Sequence, residues 1–175
     1  MIYNNVEEIY QSIDKTREIL IAKAESLNDE QMNSREDGEG WSVAEIVEHI
    51  GIVEGGMLKI IEKLLGEAEK AGNKSNGEFN PPISFEKYAE AAKDQKFQAP
   101  ERVYPQGGQN IKESLVKLSQ NRLALNNLKE RIKAVDSSQT GFPHPAFGNL
   151  NLYEWLAFIG LHEIRHLQQI KRILK

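Results

Sequence analysis

The stretch His162-Glu163-Ile164-Arg165-His166 places two histidines four residues apart. On a helix such residues sit one above the other, about 6 Å apart along the axis, so both imidazoles can reach one metal ion. Zinc peptidases use the pattern His-Glu-x-x-His for two ligands and a general base. Their third ligand usually follows later in the chain, but here only "LQQIKRILK" follows, with no His, Asp or Glu. Peptidase chemistry is therefore not expected, and a third ligand must come from upstream.

The chain has four histidines, His49, His144, His162 and His166, and no cysteine. Any metal must accordingly be held by imidazoles and carboxylates. Leu152, Trp155, Ile159, His162, His166, Ile170 and Ile173 follow one another at spacings of three or four, so the pair lies on the inward stripe of a helix. His49 follows Ile46 by three and precedes Val53 by four, at the edge of another inward stripe. It is the inward candidate that completes a set of three. Two readings stay open: core histidines hydrogen-bonded to neighbours, or a three-His site for Zn²⁺ or Ni²⁺ with positions left for water. Glu45 or Glu48, on the same helix as His49, could close such a site and make it structural.

Three neutral imidazoles leave the ion its full charge, which lowers the pKa of a bound water toward ~7 and deprotonates a bound thiol. Glu163 lies about 100° round the helix from His162. It is read either as a general base at the rim of the pocket or as a solvated helix charge. Arg165 is expected to be a surface or inter-helix partner. His144, in "FPHPAFG", could line the pocket mouth or be a plain loop histidine. Trp41 is expected to staple the start of the helix that follows it.

Four long segments carry the helical period that would position these residues, and no segment carries a run of strand-like alternation. The first covers about residues 5–27. The second opens at Ser42 with Glu45 as its capping-box partner and stops near Gly72. The third is capped by Asn110, answered by Glu113, and runs to about Lys133. The fourth is capped by Asn151, answered by Glu154. "SFEKYAEAAKD" is a further short helix, whereas "FQAPERVYPQGGQ" and "DSSQTGFPHPAFG" read as irregular. The expected fold is all-α, a four-helix bundle in one domain over residues 1–175. The connection between helices two and three is nearly forty residues long and can cross the bundle.

Net charge is −4 and no basic face appears, so nucleic acid is not an expected partner. "WLAFIGL" is too short an apolar run to span a bilayer, and the polar start "MIYNNVEEIYQS" is no signal peptide. The expected location is the cytoplasm.

Two stretches resemble the DinB-like (YfiT-like) metalloprotein family: "GWSVAEIVEHIGIVE" around His49, and "HPAFGNLNLYEWLAFIGLHEIRHLQQI" with its final His166-x-x-Gln169. "QAPERVYPQGGQNIKESLVKLSQNR" is similar to the family's usual entry to helix three. The resemblance implies one divalent metal ion, zinc or nickel, on His49, His162 and His166, and a homodimer. It also implies a transferase or isomerase that uses a low-molecular-weight thiol such as bacillithiol, mycothiol or glutathione. With no cysteine in the chain, the thiol would be a cosubstrate. A metal-dependent hydrolase, or a non-enzymatic metal-binding bundle, is the alternative.

Overall fold

The computed structural model describes residues 1–36, 38–79, 83–85, 99–108 and 110–175. Its helices, among the described residues, are α1 (Val6–Glu25), α2 (Asp29–Asn33), α3 (Val43–Ala71), α4 (Ile111–Ala134) and α5 (Leu152–Ile173). No helix of the described residues is long and apolar enough to cross a membrane.

Each long helix starts where a side chain can take over an unpaired backbone N–H. Asn5 accepts from Glu8, and Ser42 and Asn151 form reciprocal capping boxes with Glu45 and Glu154. Asn110 caps through the N–H of Lys112, not through the reciprocal box expected with Glu113. Helix α3 stops at Gly72, whose φ of 72° is left-handed backbone that a side chain would strain. The short α2 was not signalled by apolar periodicity, because five residues are too few to show any; its cue is the Asn28–Gln31 box. The short helix expected in "SFEKYAEAAKD" lies outside the described residues, apart from Ser84 and Phe85.

Helices α1 and α5 pack together in the same direction, since Ile13 meets Gly160 and Arg17 meets Glu163. Helices α3 and α4 also run the same way: Asn121 donates to the Gly51 carbonyl, and Arg131 pairs with Glu69. Helix α1 opposes α4, as Tyr10 donates to the Leu125 carbonyl and Arg17 to that of Leu118. Parallel neighbours need a crossover, and the long connection after α3 provides it. It contains a 3₁₀ turn at Glu101–Val103.

Short antiparallel pairs decorate the bundle: β1 (Ile2–Tyr3) with β4 (Ile83–Ser84), β2 (Arg35–Glu36) with β3 (Glu39–Ser42), and β5 (Phe142–His144) with β6 (Gly148–Leu150). The last corrects the loop expected there. Phe142 pairs with Leu150 and His144 with Gly148, and the Trp155 indole N–H donates to the Phe142 carbonyl, which holds the hairpin onto α5.

The core divides into two apolar clusters. One gathers Ile9, Ile13, Met57, Ile61, Leu125, Ile132 and Trp155; the other gathers Leu20, Val43, Ile46, Ile50, Leu118, Leu167 and Ile170. A fully buried aliphatic side chain contributes about 1.5–3 kcal/mol, far more than any helix propensity, so packing of these stripes holds the helices.

Candidate metal centre

His49 stands two turns into α3, and His162 and His166 occupy successive turns of α5. The antiparallel packing of α3 on α5 brings all three together, with one ligand-type nitrogen of each lying within 4.8 Å of the others. His49 and His166 are buried, and His162 is partly exposed.

Two of the rings have their tautomers set by neighbours. His49 Nδ1 lies 2.8 Å from the Val103 carbonyl, an acceptor, so Nδ1 carries the proton and Nε2 a lone pair. His166 Nδ1 likewise donates to Gln169 Oε1 at 2.9 Å. Ligating histidines are oriented in this way by partners on their far nitrogen. His166 Nε2 then faces His162 Nε2 at 3.1 Å. Two Zn–N bonds of about 2.0–2.1 Å at tetrahedral to right angles set their nitrogens about 2.8–3.4 Å apart, so this spacing fits a shared ion.

The electrostatics favour the neutral, ligating form. Burial lowers the His49 pKa and takes His166 down to about 3. His162 is held well below its usual range, first by burial and then by His166 and His49. The Arg165 charge adds a smaller lowering to each.

The carboxylates that might have closed the site are engaged elsewhere. Glu45 accepts from the Ser42 N–H and pairs with Arg35 at 2.8 Å. Glu48 accepts from the Gln106 N–H at 2.9 Å. Among the described residues, three imidazoles and no carboxylate make up the converging group. This is the donor set of a site that keeps positions for an exchangeable ligand.

Glu163 is neither of the things expected. Its side chain is 1% exposed, so it is not a solvated charge. Its carboxylate accepts from Arg17 and lies 3.5 Å from Arg122, on α1 and α4, so it is not at the rim either. Its neighbours one turn either way are core residues, and the 100° step from His162 carries it into the bundle. Burial raises its pKa despite the two arginines.

His144 sits in β5 among aromatic rings, 4.8 Å from Phe147, 4.7 Å from Phe158 and 5.3 Å from Trp155. Its Nδ1 accepts from the Ala146 N–H, and burial lowers its pKa to about 4. It is thus a fixed neutral ring, one turn along α5 from His162 by way of Phe158, and not a free loop histidine.

Sequence reasoning missed three features. Trp41, expected only to staple a helix, has its ring 4.6 Å from His49 and 5.6 Å from Tyr104. The Val103 carbonyl orients His49, yet a backbone acceptor leaves no mark on residue type. The role of Gln169 as the acceptor for His166 was available from their spacing of three on a helix.

The family model described as the DinB superfamily matches residues 12–170. The chain is 31% identical over 156 residues to YuaE of Bacillus subtilis (strain 168), an uncharacterized protein, covering 84% of this chain and 85% of that one. A solved structure described as TT2238, a four-helix bundle protein, superposes with a TM-score of 0.64 at 20% identity, covering 95% of this chain and 98% of the other. That likeness bears out the four-helix bundle.

Proposed function

This chain belongs to the DinB superfamily, and from that premise we propose that it binds one divalent metal ion, zinc or nickel, through His49, His162 and His166 and is a transferase acting with a low-molecular-weight thiol. The observation that carries the reading is the convergence of three imidazole nitrogens within 4.8 Å, two of them on rings turned by acceptors on their far side. When bound, the ion would act as a Lewis acid that favours the thiolate form of a cosubstrate at neutral pH.

The remaining work falls to the chain. Val103 and Gln169 keep the Nδ1 protons of His49 and His166 in place, so the Nε2 lone pairs stay turned to the centre. Burial keeps the rings unprotonated at neutral pH. Trp41 and Tyr104 wall the His49 side, and His144 with Phe158 walls the approach along α5. No cysteine is present to serve as a nucleophile, so a thiol reaction requires a cosubstrate.

Elemental analysis of protein purified without an affinity tag tests the ligand set. About one ion per chain is expected, falling away in each His→Ala variant; equal content in His49→Ala and wild type would remove α3 from the site. For the reaction, bacillithiol, mycothiol and glutathione are each offered with a general electrophile such as monochlorobimane. Conjugation that stops on chelation is expected. Conjugation that is absent with all three, or indifferent to chelator, overturns the thiol assignment.

A further inference from the structure

Between the two apolar clusters lies a charged layer to which all four long helices contribute. Arg17 (4% exposed), Glu54 (3%), Arg122 (8%) and Glu163 (1%) are buried in it. Arg17 Nε donates to Glu163 Oε1 at 3.0 Å, its Nη2 lies 2.8 Å from Glu54 Oε2, and its Nη1 donates to the Leu118 carbonyl at 2.8 Å. Arg122 holds Asp14 at 2.6 Å and approaches Glu54 and Glu163 at 3.5 Å.

Such a layer is a poor way to gain stability. Buried ions lose their hydration, and apolar side chains of similar volume often serve as well or better. This one is also incompletely bonded: both oxygens of Glu54, Glu163 Oε2 and Arg122 Nε have no aligned hydrogen-bond partner. What charges provide that apolar ridges do not is register. A leucine stripe tolerates a slide along the helix, whereas a guanidinium fork facing two carboxylates does not.

Register matters at one place in particular. His162 and His166 lie on the same helix, so their spacing is fixed by α5 itself. The distance from that pair to His49 depends on how far α5 is shifted along α3. A slip of one residue moves a side chain about 1.5 Å along the axis. Arg17 spans the two helices concerned, gripping Glu163, next to His162, and Glu54, on the same helix as His49. We propose that Arg17 is the positioning residue of the three-histidine site: it locks α5 against α3 and so keeps His49 within reach of the other two.

The proposal rests on the metal reading above, and it makes a specific claim: losing Arg17 should look like losing His49. Cobalt(II) is the probe, with affinity taken from competition against a chelator and site geometry from the visible d–d bands. Arg17→Met is expected to keep its helix content by circular dichroism, to bind cobalt roughly 10–100-fold more weakly, as supporting residues of metal sites do, and to give the altered bands of His49→Ala. The double variant should be no worse than His49→Ala alone, because Arg17 acts only through the contact that His49→Ala already removes. Arg17→Lys, which keeps the charge and loses the fork, should fall between.

Wild-type affinity and bands in Arg17→Met, or losses that multiply in the double variant, would overturn the proposal. If Arg17→Met does not fold, the near-isosteric Glu54→Gln decides by the same readouts: weaker binding supports positioning, and unchanged binding with unchanged bands sinks it. A wild-type protein that takes up no cobalt fails the metal reading itself and this inference with it.

Discussion

Acid should destabilise this protein through its three clustered imidazoles, and the size of the effect follows from how far the fold keeps them neutral. In the unfolded chain each histidine takes up a proton near pH 6.5. In the folded chain all three are lowered below that value, His166 to about 3, chiefly by burial. The unfolded state therefore binds more protons as pH falls, so the stability these groups contribute is present above about 6.5 and is lost below it. A histidine that stays neutral when folded costs about 1.2 kcal/mol between pH 7 and 5.5. Three of them set a ceiling of about 3–4 kcal/mol, which for a chain of this size is roughly 6–16 °C in Tm. The assay is thermal melting of metal-free protein across that range, beside the triple variant His49→Ala/His162→Ala/His166→Ala. Glu163, whose pKa is raised, has the opposite sign, but it is present in both proteins and drops out of the difference. The wild type should lose several degrees more than the triple variant. Parallel losses would refute the reasoning, since they would mean the imidazoles protonate as easily in the fold as out of it. With an ion at a hundred times its Kd, about 2.7 kcal/mol is added at neutral pH. Protons compete for the same nitrogens, so that increment should vanish over the same range.

Gln169→Leu should leave all three proposed ligands in place yet weaken metal binding roughly 10–100-fold, because His166 loses the acceptor that orients it; chelator competition reads this directly. Gly160→Ala should destabilise by about 1–3 kcal/mol, since the new Cβ would stand 3.0 Å from Ile13 Cγ2 where α1 crosses α5; an unchanged Tm would mean the two helices can part at no cost. Casein should survive incubation with the metal-loaded protein, and chelator-sensitive cleavage would restore the peptidase reading of His-Glu-x-x-His.

The parts of this molecule that sequence made legible are those written in local side-chain chemistry. Ser42 with Glu45, Asn151 with Glu154 and Gly72 announce helix ends, because capping is settled within four residues. The inward spacing of His162 and His166 is legible for the same reason. Where the crossover would land was not, because His49 is met by the carbonyl of Val103, which every residue type offers. Glu163 was misplaced since its partners stand on other helices; a charge beside a ligand suggests catalysis until Arg17 and Arg122 are seen to hold it. The β5–β6 hairpin was hidden by its length, three residues being too few to display alternation.

The crossover that makes α3 and α4 parallel also bears on how the chain folds. His49 and the Val103 carbonyl are 54 residues apart in sequence, and Arg17 and Glu163 are 146 apart. Contacts over such distances form only after large loops have closed, which slows folding. The helices can form early from their own caps and stripes, yet the three imidazoles converge only when α5 has docked against α3. An ion that needs all three can act only on a chain already near its native topology. Its influence should therefore fall on the rate of unfolding and leave the rate of folding nearly untouched. In kinetic terms the proposed centre would be a latch that closes last, setting how long the native state persists and not how quickly it is reached.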